Sequence, residues 1–410
     1  QGGNITLTGQ AGGAGATNFH EGVIVGGNVT TTGSGNITVN GTGGSTGTVN
    51  IGVDLISGTI STVNGTVVLN GVSGAGSSSD AIRLANFGGG GSVIETTGSG
   101  MIVLVADASA GSGVGLNAFG AGSAIGGALT TADIFITTDT ISLAVPVQST
   151  GDLFIEPLSS NTSIGLGGGA GTLNIDDAEF ATFDNFRQVN IGLFEASNLI
   201  QIDELDLSDK SFDLFTTGGR TEFMGTLTLR DDGRLVMVVA DQLADLHAGA
   251  SDVIIGGSNG SIAFDLAAGV DPLSIDGNFD FEAARFAAQT LTGSLAFSVN
   301  SSSTVDIVDE VAGLNTSFGG DILLETQDLT ISAPVQTTGA GAVSIDASDV
   351  IVLDDTIISD SGDVTLQSQT GIAGTSNSSI QTAAGAVTLE SDADNLGSDG
   401  TVNFAGTIIH

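Results

Sequence analysis

The chain has 410 residues, and 46 Asp and Glu against 7 Lys and Arg give it a formal net charge of −39. So acidic a chain repels phosphate backbones and anionic bilayers, so neither nucleic-acid binding nor membrane insertion is expected, and no apolar run reaches the ~18 residues of a spanning helix. Cys, Trp and Tyr are all absent, which excludes disulfides, thiol catalysis and Cys-based zinc sites as well as the rings most sugar sites stack on.

The 19 Phe lack a polar handle and are expected in the core. Lys210 is the only lysine, and its setting, DLSDKSFDLF, suits neither a phosphate loop nor a Schiff base nor a Lys–Asn crosslink. No basic leader followed by an apolar stretch opens the chain.

In chain order, the opening segment GGNITLTGQAGG after Gln1 copies the segment GNITVNGTGG after Ser34, which reads as the third strand of a repeating unit. The chain therefore reads as starting mid-unit. A first phrase then recurs at Gly22 (VIV), Gly52 (VDL), Ala81 (IRL) and Gly113 (VGL), at steps of 30, 29 and 32 residues. A second, an aliphatic residue followed by Thr/Ser, a Gly and an alternating run, begins at Val29, Ile60, Ile94 and Val147. Each early unit reads as three short strands separated by Gly-, Ser-, Asn- and Thr-rich turns.

Near residue 130 the composition changes. Residues 1–130 hold 34 of the 64 Gly but only five acids, Glu21, Asp54, Asp80, Glu95 and Asp107. This predicts a smooth Gly-rich section, 1–130, and an acidic section, 131–410, of one continuous solenoid. The run DIFITTDTISLAVPVQSTG from Asp133 realigns without a gap on DILLETQDLTISAPVQTTG from Asp321, an offset of 188. Four segments with helical spacing are expected to bulge from the coils: from Asp177 (Phe180 and Phe183), Asp241 (Leu243 and Leu246), Phe281 and Asp309. The second phrase returns at Val335, Ile358 and Ile380, steps of 23 and 22.

One such unit cannot bury its apolar stripe alone, whereas stacked units pair strand on strand and share one apolar column. The pattern predicts an all-β chain: a right-handed parallel β-helix of three-strand coils, about 22–34 residues each, with short helical insertions. At ~25 residues per coil and ~4.8 Å per step, this is a rod of roughly 16 coils and ~75–80 Å.

Few residues point to chemistry. The acid pairs Asp176–Asp177, Asp231–Asp232 and Asp354–Asp355 are candidates for glycosidase carboxylates or for calcium ligands, although neighbours on a strand face opposite ways. A catalytic site on a polysaccharide would be sought first near Arg220, Arg230 and Arg234. The nearest approach to a calcium-binding nonapeptide, GGAGTLNID from Gly168, has Leu173 where the ligand Asp would stand. His20, His247 and His410 are too far apart along a stacked solenoid to share a metal, and the glycines from Gly88 to Gly91 lack the Lys and helix of a phosphate cradle. Asn36, Asn64 and Asn161 begin glycosylation tripeptides of the kind such a composition produces by chance. No catalytic residue and no resident cofactor is expected beyond candidate calcium.

The repeated TTGSG phrases before alternating strands, the GVxL segments and the LNIDDAEF interruption ending in VNIG resemble large bacterial surface adhesins of the filamentous haemagglutinin type. The likeness runs along nearly the whole chain and is one of pattern. It implies secretion and display as an extracellular structural or adhesive rod of a bacterial surface or biofilm matrix. Its partners would be cell-surface or matrix glycans and proteins. The family's N-terminal secretion signature is not found here. The final strand-like segment, TVNFAGTIIH after Gly400, carries no polar cap. That fits an excerpt of a longer protein, or a filament subunit stacking end to end on identical copies. A β-helical polysaccharide lyase or hydrolase is the remaining reading, and would gather Asp, Glu and Arg on one coil face.

Overall fold

In the computed structural model, residues 2–12, 18–193, 198–247, 253–257, 259–266, 274–276, 279–290, 295–300, 305–308, 313–316, 320–392 and 400–410 are described. The alternating runs form short strands, and each strand pairs in parallel with the equivalent strand of the next coil. The fold is a parallel β-helix. Cα packing divides it into two compact units, Gln1–Leu193 with Lys210–Asp213, and Phe194–Asp209 with Leu214–His410. The compositional step near residue 130 falls within the first.

In the first unit three columns of strands run side by side. One contains Ile37–Thr42, Val67–Val72, Ile102–Asp107, Ile134–Thr138, Leu153–Glu156 and Gln188–Gly192. Its inward positions stack in register as Ile37, Val67, Ile102, Ile134, Leu153 and Val189, each with no exposed surface. Burying one such side chain contributes about 1.5–3 kcal/mol, so the column is a large cohesive term that no single coil has alone. A second column carries Val53, Ile82 and Leu116 inward, and a third carries Val29, Ile60, Ile94, Ile125, Val147 and Phe183 in register. Strands of successive coils are offset by 29 to 36 residues, with one shortened coil of 19, 22 and 25 residues in the three columns.

The second unit repeats the scheme. Ile322, Val343 and Val364 stack in one column, Leu329, Ile351 and Ile372 in another, and Val335, Ile357 and Ile380 in a third, at offsets of 21 to 23 residues. The duplicated segments form the same three strands: Ile134–Thr138, Ile141–Leu143 and Val147–Gln148 in one unit, Ile322–Thr326, Leu329–Ile331 and Val335–Thr337 in the other. Part of the second unit's core is aromatic. Phe223, Phe264, Phe279, Phe281, Phe286 and Phe297 pack with ring centroids 4.9–6.4 Å apart.

The Thr and Gly of the second phrase have one physical role. Thr31 turns its hydroxyl into the corner, donating to the Gly35 carbonyl at 2.6 Å and lying 2.8 Å from Thr62 Oγ1. Thr316 and Thr337 donate likewise to Gly320 and Gly341, and Ser359 bonds both Gly341 and Gly362. The buried hydroxyls satisfy carbonyls that a tight corner would otherwise strand. The glycines are there because coils touch. A Cβ on Gly35, Gly65 or Gly100 would overlap the carbonyl of the glycine one coil below, and the same holds for Gly362 and Gly385.

Four expectations need correction. In the column of Val335 and Ile380 the inward residue is Ile357, so the phrase starting at Ile358 is displaced by one. At Gly113 the displacement is two: Leu116, not Val114, takes the register of Val53 and Ile82, because the preceding turn is longer. Of the four helical segments, the first contains a helix, Asp177–Phe180, while its second aromatic, Phe183, already belongs to a strand. Leu243 lies in the strand Arg234–Asp245, held by parallel neighbours on both sides, and Leu246 is 44% exposed. Phe281 and Phe286 are likewise in strands, Asp280–Glu282 and Arg285–Thr290. Tertiary pairing overrides a helical spacing this short. The start of the Asp309 segment, 309–312, lies outside the described residues.

Candidate functional site

The acid pairs serve the fold locally. Asp176 caps the short helix, accepting from the amides of Ala178 at 2.8 Å and Glu179 at 3.1 Å. Glu179 reaches back to the Asp176 amide, closing a capping box whose first turn contains Asp177. Burial, then the hydrogen bond it shares with Asp176, pushes the Glu179 carboxyl up to about 7, while that bond holds Asp176 below its ordinary range. Asp231 accepts from the Asn259 side chain, and Asp232 pairs with Arg230 Nε at 2.6 Å. Asp354 accepts from the Thr375 hydroxyl, and Asp355 from the Thr356 amide. Among the described residues no three or more His, Asp or Glu gather where they could hold a metal ion. Leu173 of the nonapeptide-like segment is fully buried opposite Ile164, in a parallel pair of strands only nine residues apart. The ligand position is thus a core position.

Of the three arginines singled out, Arg220 pairs with Glu222, whose other oxygen accepts from Gln201 at 2.6 Å. Arg230 and Arg234 flank the turn that contains Asp231 and Asp232. Arg220 and Arg230 each pair with a carboxylate two residues further on.

A different constellation is the most ordered one in the first unit. Arg83 is the sole cation of residues 1–186, and three of the five acids of residues 1–130 gather at or beside it. Stacking puts Ile24, Asp54, Arg83 and Asn117 in one outward row. Arg83 grips Asp54 with two parallel bonds, Nε to Oδ1 at 2.9 Å and Nη2 to Oδ2 at 2.6 Å. Glu21 Oε1 stands 3.9 Å from the same guanidinium. The Asp54 side chain has no exposed surface and Arg83 only 16%. Burial, and then the charge of Asp54, raises the Glu21 carboxyl above its ordinary value, with Arg83 working against them. Next to it, Asp80 accepts from Asn117 Nδ2 at 2.9 Å and from the Val114 amide. Phe87 covers the cluster from outside, its ring 5.6 Å from the guanidinium and edge-on to Phe119.

Chemically the cluster is a staple. Glu21 and Asp54 both pair with one guanidinium, whereas glycosidase carboxylates flank a bound sugar at least ~5 Å apart. Its bidentate pair ties adjacent coils and engages two of the guanidinium's N–H donors. The sequence signal was available: aligning the phrases at Gly22, Gly52 and Ala81 places Asp54 and Arg83 at one position of successive coils.

Stacked Phe135 and Phe154, 4.7 Å apart and within 6° of parallel, are a second outward aromatic pair. Each takes a face of the other, so the pair is a poor platform for a flat sugar face. Among the described residues no helix is long and apolar enough to cross a membrane. Comparison with protein-family models, with curated proteins and with solved structures finds no match.

Proposed function

We propose that this chain is an extracellular structural segment of a large bacterial surface or matrix protein, holding and presenting shallow adhesive contacts to glycans or proteins. The observation that supports it most is the division of labour across each strand. Inward positions are committed to apolar columns, while outward positions form repeated rows such as Thr8, Asn40 and Asn70, bonded coil to coil through their side chains. Such rows offer many similar polar contacts in place of one deep pocket. Attachment would then come from multivalency, which multiplies a weak affinity by ~10²–10⁴.

The test is a comparison of the soluble chain with beads densely coated with it, on immobilised matrix polysaccharide and on cells. Coated beads should hold under washing that removes the soluble chain. Beads that hold no better than beads carrying an inert acidic protein, or release of new sugar ends from the polysaccharide, would overturn the reading.

A further inference from the structure

We propose that the corner formed by Arg230–Gly233, Asn259–Gly260 and Ala284–Arg285 is a binding site for an acidic sugar residue. The inference sharpens the adhesive reading, on which it rests, from glycans in general to saccharides bearing a carboxylate or sulfate. Three of the seven cations of a chain with net charge −39 lie here. Arg234, Ser261, Arg285 and Asp306 occupy one outward row of successive strands, so the two arginines are two coil steps, ~9–10 Å, apart. A depression of about 420 Å3, lined by Asp232, Asn259, Ala284 and Arg285, opens beside them.

The lining is built. Arg230 fixes Asp232 at 2.6 Å, leaving that carboxylate 71% exposed. Asn259 is held from both ends by Asp231, backbone to backbone at 2.9 Å and side chain to side chain at 3.1 Å. Arg285 is exposed, and its Nη2 touches the Asn259 carbonyl at 3.4 Å, which aims the guanidinium along the depression. One coil further in the same row, Asp306 Oδ1 is buried and has no hydrogen-bond partner among the described residues.

The chemistry selects the ligand. An exposed guanidinium recognises a planar or tetrahedral anionic group through paired donors. The Asp232 carboxylate, within the same lining, requires hydroxyl donors and repels a multiply charged phosphate. A group that offers one negative charge and several hydroxyls satisfies both, with Ala284 against its C–H face. Long-range repulsion from the other acids is screened beyond ~8 Å at physiological salt.

The experiment titrates the full chain, by calorimetry and by saturation-transfer NMR, with a trigalacturonate, its neutral trigalactose counterpart and a sulfated trisaccharide. The acidic sugars should bind at least tenfold more tightly than the neutral one, and the better of the two identifies the source of the anion. Arg285→Ala and Arg285→Gln should each lose at least tenfold, Asp232→Asn should lose several-fold, and Arg187→Ala, on the other unit, should bind as the parent does. Circular dichroism confirms that each variant retains its strands, and Asn259→Ala supplies a second lining variant should Arg285 prove necessary for folding. Equal binding of acidic and neutral sugars, no binding of either, or parental affinity in Arg285→Ala would overturn the site. Bead adhesion that survives when acidic trisaccharides fail to bind leaves the adhesive reading standing without this site. Arg285-dependent trisaccharide binding with no bead adhesion does the reverse.

Discussion

Replacing Gly65 with Ala probes the contact between coils directly. An added Cβ would lie 2.5 Å from the Gly35 carbonyl carbon and closer still to its oxygen. That neighbour is backbone of the adjacent coil and cannot rotate away, so the corner must open. Opening it stretches the Thr62 hydroxyl bond to Gly35 O at 3.0 Å and the Asn64 amide bond to Gly33 O at 2.7 Å. Two such bonds contribute about 0.5–1.5 kcal/mol each, and overpacking adds about 1–3 kcal/mol, for a total of about 2–6 kcal/mol. The control is Gly90→Ala, where a Cβ meets nothing within 4 Å, and where the smaller entropy of the unfolded chain favours the variant by about 0.4–1 kcal/mol. Urea denaturation followed by far-ultraviolet circular dichroism measures both, with hydrogen exchange locating the weakened coil. A Gly65 variant no less stable than the Gly90 variant would refute close coil contact as the reason for glycine at these corners.

Removing one partner of the Arg83–Asp54 pair should be costly, because it leaves a buried charge alone: Asp54→Ala or Arg83→Ala should lose about 3–5 kcal/mol, whereas Asp54→Leu with Arg83→Met should lose far less, as a double-mutant cycle would record. Glu179 sets a pH dependence. Its folded value of about 7 exceeds the ordinary 4.5, so between these values the folded chain holds a proton that the unfolded chain releases, and stability should fall as pH rises across that window. Glu179→Gln should flatten this slope in denaturation midpoints, while the lowered Asp176 acts in the opposite sense at more acidic pH. Calcium and magnesium at equal ionic strength should shift the melting temperature equally, since the acid pairs at Asp176, Asp231 and Asp354 are engaged in local bonds; a calcium-specific rise of several degrees would contradict this.

The inward columns were legible because an alternation of period two, repeated at near-constant spacing, has one stable solution. Register was legible only where a single aliphatic residue could face inward. Ile357 and Ile358 are both aliphatic, and only pairing with Ile380 decides between them. The slip at Gly113 has a related cause, since a longer turn shifts the strand without altering its alternation. Leu243 and Leu246 mimic a helix because a spacing of three over a few residues is also met at the end of a strand. The Arg83 staple was legible only by aligning the coil phrases, and the Arg285 corner not at all as a motif, since their members are 26 to 29 residues apart along the chain and become neighbours only through the coil period.

This separation says where chemistry can accumulate in such a fold. Changing an inward residue disturbs two coils at once, so the columns are closed to experiment by mutation and drift. Outward rows are free of that constraint, and stacking converts a residue at one position of successive coils into a contact at ~4.8 Å intervals. Opposite charges in one row make a staple, as with Asp54 and Arg83. A row can instead leave a charge exposed, as with Arg285, which follows Arg234 and Ser261 and precedes Asp306. A row of the first kind closes on itself. A row of the second kind keeps a charge directed at solvent, and that difference in exposure, Arg83 at 16% and Arg285 open, is the physical ground for seeking a ligand at the Arg285 corner and not at the Arg83 cluster.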